Sequence, residues 1–282
     1  MTGDGKSMDQ PVGVGKHSRV TRDVNKDVGP GKDVSIVVDS PSVAVVAERP
    51  MYFNYKGWTG GDDVVGSTRL GRRWYFAEGT TRHNDTDGQF DTYMCVQNPT
   101  TADADVNFTF LLSDSTTKTQ GLKVPAGSRR TLGVNDVLGA NKDFSTVVES
   151  NTAVVVERPI YFNYRNVWTG GTVAVGVHTP KNAWYLAEGT TRAGFNEWLT
   201  LENPGPLTAN VTIEYMPKDG PVMTQNIGIP GNTRITVDVA LFVGQGKDVS
   251  ASIWSDRGII VERPMYFNYN GVWTGGHDVI GL

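Results

Sequence analysis

The chain has 282 residues, with 26 Lys and Arg against 30 Asp and Glu and a formal net charge of -4. So mild an acidic balance gives no basic footprint for the phosphates of nucleic acid or for an anionic membrane. The single cysteine, Cys95, excludes an internal disulfide framework and a cysteine-based zinc cluster, while 33 glycines and 14 prolines among many Val, Thr, Tyr and Phe favour strands and tight turns.

Residues 1–10 read as a polar tail without the apolar core of a signal peptide, and no stretch reaches the roughly 18 apolar residues of a membrane span. The dominant pattern then begins. Val-Val-Glu-Arg-Pro-Ile-Tyr-Phe-Asn-Tyr and Trp-Thr-Gly-Gly, at 154–171, recur at 45–61 and 259–276, so the unit is about 105–110 residues long, the size of a domain. Residues 11–73 carry only a back half and a linker: Arg19, Thr21 and Val24, then Asp33-Val34-Ser35, then Glu48-Arg49-Pro50. Complete units follow at 74–183 and 184–282. Each opens on Trp-Tyr-x-Ala-Glu-Gly-Thr-Thr-Arg (74–82 and 184–192) and passes an Asn-Pro at 98–99 and 203–204.

Within a complete unit, alternating or β-branched runs predict strands at 74–80, 92–97, 104–112, 119–124, 129–134, 144–149 and 153–164, separated by Gly, Asn, Asp and Pro clusters. Seven short strands in this length predict an all-β fold of tandem immunoglobulin-like β-sandwiches. Five half-units of about 55 residues keep a five-bladed β-propeller as the alternative, although front and back halves share little sequence. The glycine pairs suggest tight interdomain turns, with the units as beads on a semi-rigid string.

Recurring charges and rings are the candidate binding groups. Glu48, Arg49, Glu157, Arg158, Glu262, Arg263, Glu78 and Glu188 could fix the hydroxyls of a sugar, with Trp58, Trp168 and Trp273 as stacking platforms, one site per repeat. The competing expectation is a framework role, Arg of one strand pairing with Glu of its neighbour. Asp85, Asp87 and Asp91, in an insertion absent from the second unit, could offer oxygens to Ca²⁺, without the glutamate that closes an EF-hand loop. No other cofactor is called for. His17, His83, His178 and His277 are scattered and form no catalytic or metal motif, so no catalytic residue is assigned and no enzyme is expected.

Ala-Glu-Gly-Thr-Thr-Arg, then Phe-x-x-Trp-Leu-x-Leu-x-Asn-Pro and Glu-Arg-Pro-Met-Tyr-Phe-Asn-Tyr, resemble tandem β-domain repeats of secreted or surface proteins of actinobacteria and related environmental bacteria. The resemblance implies an extracellular or cell-surface address and a role in adhesion, envelope structure or display, with glycans or a cell-envelope polymer as partners. A three-strand remnant at 11–66 would leave open sheet edges, so the expectation is that either the neighbouring full unit covers it or a second chain completes it, as a homo-oligomer or filament.

Overall fold

The computed structural model describes residues 1–3 and 5–282. Among these, the first unit supplies a one-turn helix, α1 (Val24–Val28), and one hairpin, β1 (Glu48–Tyr55) with β2 (Trp58–Val65). The first complete unit contains β3 (Gly71–Phe76), β4 (His83–Asn84), β5 (Gly88–Asn98), β6 (Ala104–Leu112), β7 (Thr117–Val124), β8 (Ser128–Gly133), α2 (Val134–Leu138), β9 (Phe144–Tyr164) and β10 (Trp168–Val175). The second contains β11 (Lys181–Leu186), β12 (Phe195–Asn203), β13 (Ala209–Pro217), β14 (Met223–Ile229), β15 (Thr233–Asp238), α3 (Val239–Val243), β16 (Val249–Tyr269) and β17 (Trp273–Ile280).

Each complete unit is an antiparallel β-sandwich built around one 21-residue strand that belongs to both sheets. The first half of β9 lies between β6 and β3, and β7 flanks β6. Its second half lies between β5 and β10, and β8 flanks β5. β16 repeats this with β13, β11 and β14 on one sheet and β12, β17 and β15 on the other. The propeller alternative is therefore set aside: a front half and a back half interleave in a single sandwich, so neither is a blade.

Alternation explains the cores. Val106, Phe108 and Phe110 point from β6 toward Met94 and Val96 of β5, and Trp74, Phe144, Val148 and Val156 fill the same layer. In the second unit Trp184, Leu199, Leu201, Val211, Ile213, Ile253 and Val261 do so. Both buried indoles find a carbonyl: Trp74 Nε1 donates to Val154 O (3.2 Å) and Trp184 Nε1 to Ile259 O (2.9 Å).

The motif polar residues tie down loops. Asn98 Nδ2 donates to the carbonyls of Ala102, Val124 and Pro125, and Asn203 Nδ2 to those of Leu207, Ile229 and Pro230. Thr81 Oγ1 donates to Gly139 O and Thr191 Oγ1 to Gly244 O, both at 2.7 Å, where the short helices end. Arg82 pairs with Asp143 and Arg192 with Asp248 in the same loops. The Thr-Thr-Arg and Asn-Pro signatures are thus latches between the front half and the back half.

Three expectations need correction. The first unit is not a three-strand remnant: its strand-like runs before Glu48 form no strand. In the complete units β8 pairs only with β5, and the first half of β9 only with β3 and β6, all from the front half that the first unit lacks. Only the terminal hairpin satisfies its own backbone, and its two strands are the only ones that form among the described residues of this unit. Second, Gly170-Gly171 and their counterparts make no turn. They lie in the extended strands β2, β10 and β17, while the positive-φ turn residues are Lys56 and Gly57, Arg165 and Asn166, and Asn270 and Gly271. Third, the units are not separate beads, because Tyr75 and Ala77 of the first complete unit belong to the apolar core of the second.

Candidate functional site at the unit junctions

The three hairpins meet through their glycine-bearing strands and curl so that the third also reaches the first, His277 Nδ1 lying 3.3 Å from Asp62 Oδ1, and the glycines make the contacts close enough. A Cβ on Gly60 would stand 3.0 Å from Gly170 Cα, and one on Gly170 would stand 3.0 Å from Gly275 Cα. Each phenylalanine of the Tyr-Phe-Asn-Tyr run fills the space over the next hairpin's second glycine. A Cβ on Gly171 would meet the tip of Phe53 at 2.7 Å, and one on Gly276 the tip of Phe162 at 2.6 Å. Any side chain there separates the layers.

Aromatic contacts repeat with the same geometry. Tyr55 stacks on Tyr161 at 4.3 Å between centroids, with Phe53 edge-on to it at 4.9 Å. One unit later Tyr164 stacks on Tyr266 at 4.2 Å, with Phe162 edge-on at 5.0 Å. Hydrogen bonds follow suit: Val173 N donates to Asp62 Oδ2 (2.6 Å), and Asp278 N to Thr172 Oγ1 (3.0 Å).

The Glu-Arg-Pro charges form a relay in which the arginine of one unit meets the glutamate of the next. Arg49 Nη1 lies 2.9 Å from Glu157 Oε2, and Arg158 Nη1 lies 2.8 Å from Glu262 Oε2. The second pair is fully buried and more elaborate. Arg158 also pairs with Asp278 and donates to the carbonyl of Glu78 (2.7 Å), while Glu262 accepts from the backbone N–H of Ala77 (2.9 Å) and Glu78 (3.3 Å). The Glu78 carboxylate in turn reaches Arg234 at 2.9 Å. Burial opposes the Arg158 charge, but Glu262, Asp278 and Glu78 outweigh it and hold its pKa above the ordinary guanidinium value.

Nearby carboxyls pay for this crowding in basicity. Burial and then the Glu262 charge push Asp278 and Glu202 well above the usual carboxylate range. Burial lifts Glu197 to about 7 against the pull of Arg263. Neither oxygen of the fully buried Glu202 has a hydrogen-bond partner among the described residues. The same position in the first complete unit is Gln97.

Of the sequence candidates, Arg49, Glu157, Arg158, Glu262 and Glu78 are brought together at the junctions, whereas Glu48 stands exposed at the first hairpin. Glu188 lies on the outer face of the last unit, paired with Arg263 at 2.7 Å. Trp58, Trp168 and Trp273 do not converge. Each leans on the tyrosine of its own hairpin, Tyr55, Tyr164 and Tyr269, at 5.6 to 5.9 Å, and Trp273 is 60% exposed. Asp87 pairs with Arg82 and Asp91 with Lys56, Asp85 is bonded through its carbonyl to Asn166, and among the described residues no three His, Cys, Asp or Glu side chains gather as a metal site.

Residues not nominated from sequence are the Phe and Tyr of Tyr-Phe-Asn-Tyr, Asp278, Arg234, Glu197 and Glu202. The first group carried a signal: aromatic rings at every position but one in a strand mean that both faces are covered. Asp278 carried only a partial one, since Asp63 holds its place in the first unit but Val173 does in the second.

No protein-family model and no curated protein matches the chain. Among solved structures, that of Thermotoga maritima 1070 is 21% identical and covers 39% of this chain and 97% of its own, with a TM-score of 0.35. The Anabaena sensory rhodopsin transducer is 26% identical, covering 32% and 97%, with a TM-score of 0.27. Red sea bream transglutaminase is 13% identical, covering 75% and 31%, with a TM-score of 0.16. Scores this low carry no argument about fold or activity. No helix among the described residues is long and apolar enough to cross a membrane.

Proposed function

We propose that the chain is a non-enzymatic structural or adhesive repeat protein, acting outside the cell, whose stacked β-units hold contact surfaces at fixed spacing. One observation supports this most: the charges and rings that the repeat keeps in register join one unit to the next, as in Arg158–Glu262 and Tyr164–Tyr266. The framework role of Glu-Arg-Pro follows from the same contacts. The extracellular address rests on the sequence resemblance; antibody labelling of intact cells tests it, and recovery solely from the cytosol contradicts it.

Small-angle scattering at low and high salt tests the scaffold reading. Buried pairs are screened little, so the profile stays the same from about 0.05 to 1 M salt; a profile that broadens into that of a jointed chain contradicts it. A second reading, carbohydrate binding, has one favourable feature: the exposed Trp273 ring stacked on Tyr269, beside Phe195 and Glu188. A glycan array probed with the chain and with Trp273→Ala decides it. Specific binding that the substitution removes establishes the lectin, and silence across the array removes it.

A further inference from the structure

The inner and outer junctions differ by one piece, the Ala-Glu-Gly loop and the strands on either side of it. At the inner junction the loop of the first complete unit is gripped at three points. Glu262 accepts from the backbone N–H of Ala77 and of Glu78, Arg158 donates to the carbonyl of Glu78, and Arg234 meets the Glu78 carboxylate. Glu157, Arg49 and Arg129 hold the corresponding places at the outer junction. There the Arg49 and Glu157 side chains are 34% and 22% exposed, whereas Arg158 and Glu262 are shut off from water.

Two charges at the outer junction pair with each other although their counterparts pair elsewhere. Arg234 meets a glutamate, Glu78, but its counterpart Arg129 lies 3.4 Å from Asp33. Asp143 and Asp248 meet Arg82 and Arg192 of the Thr-Thr-Arg runs, and Asp33 stands at their place in the first unit. The partners that Arg129 and Asp33 call for therefore belong to one run, the glutamate and the arginine of Ala-Glu-Gly-Thr-Thr-Arg. The contact between the two is loose, with the Asp33 side chain 84% exposed. Beside them β1 has an open edge: β9 carries β5 and β16 carries β12 on the edge away from the hairpin, whereas among the described residues β1 pairs with β2 alone.

We infer that the outer junction docks a separate polypeptide that carries a front-half segment, the run Trp-Tyr-x-Ala-Glu-Gly-Thr-Thr-Arg and the strand after it. This rests on the scaffold reading above and names its partner. The glutamate of the incoming loop takes Arg129, its arginine takes Asp33, its backbone N–H groups reach Glu157, and the following strand adds to the open edge of β1. A complete unit does not fit, because it brings its own hairpin to the place where β1–β2 already lies, with Asp62 against His277. A second copy of this chain is excluded for the same reason: Glu78 is buried in the inner junction, and Glu188 is held by Arg263 of its own hairpin. The occupant is a front half unaccompanied by a hairpin.

Titration calorimetry of the full chain with a synthetic peptide of residues 181–203, which spans both strands and the loop, tests the inference. The peptide binds one to one with a dissociation constant between roughly 1 µM and 1 mM. Arg129→Glu in the chain weakens binding at least about tenfold, and a peptide carrying Glu188→Arg restores it. Asp33→Arg, at an exposed side chain that folding does not need, weakens it likewise, and Arg192→Asp in the peptide restores it. Hydrogen exchange places the contact, since amides of 48–55 gain protection when the peptide is added. A peptide that does not bind at about 1 mM, affinity that neither charge reversal changes, or protection that misses 48–55 would each overturn the docking. The scaffold reading fails separately: it falls if the chain without peptide scatters as a jointed chain, whatever the peptide does.

Discussion

Residues 11–65 and 120–175 share their landmark residues, yet one stretch forms a single hairpin and the other forms most of two sheets. The difference lies in what is available for pairing. In the complete unit every back-half strand except β10 bonds to a front-half strand, and the first unit has none to offer. Strand-like sequence is therefore insufficient without a partner in register, and the hairpin that needs no partner is also the element that joins units. A second contrast separates the two junctions. Arg49–Glu157 is half-exposed, whereas Arg158–Glu262–Asp278 is shut off from water, because only the inner junction has a full unit on both sides.

The largest expected effect breaks the inner junction. Arg158→Met strands Glu262 and Asp278 in a dry site and costs about 4 kcal/mol in urea unfolding. A cost below about 1 kcal/mol would mean that water reaches the pair. Next comes the glycine stack. Gly170→Val drives a branched side chain into Gly275 and Phe162 and costs about 3 kcal/mol in thermal unfolding, whereas Gly121→Val, with open space at its Cβ, is neutral or slightly favourable.

Glu197 sharpens the contrast between the complete units through pH, since Thr92 stands at its place in the first. Its folded pKa near 7 lies above the ordinary 4.5, so the folded chain holds more protons between these values. The stability that it contributes is full below about pH 4.5, is lost as pH rises to about 7, and changes no further above that. The span is on the order of 1–3 kcal/mol. Glu197→Gln flattens that slope in denaturant melts at stepped pH, and an unchanged slope would assign it to Glu202 or Asp278, whose pKa values are raised in the same direction. The smallest effect is at the outer junction, where Arg49→Met costs under about 1 kcal/mol and less at high salt. A larger cost would mean that the first hairpin is as firmly seated as the second.

The all-β class was legible in the sequence, since alternation in runs such as Val211 to Tyr215 has one meaning when glycine and asparagine turns bound it. The sharing of one long strand by two sheets was not. Residues 144–149 and 153–164 read as two strands because Ser150, Asn151 and Thr152 resemble a turn, yet the chain runs straight through while its neighbours change. Trp-Thr-Gly-Gly read as a hinge because glycine's freedom of φ is its more familiar use, whereas here the missing Cβ matters. Glu and Arg were marked by their recurrence, but that the partner sits one unit away is a fact of stacking that spacing along a chain does not encode.

The central claim is that the hairpin stack fuses the complete units into one rigid body. Residual dipolar couplings from backbone amides of 71–177 and 181–282, measured on a dilute, monomeric sample in one alignment medium, test it most directly. The account predicts a single alignment tensor fitting both sets, with the same magnitude and axes. Two tensors of different magnitude would show units that move independently, and would contradict it.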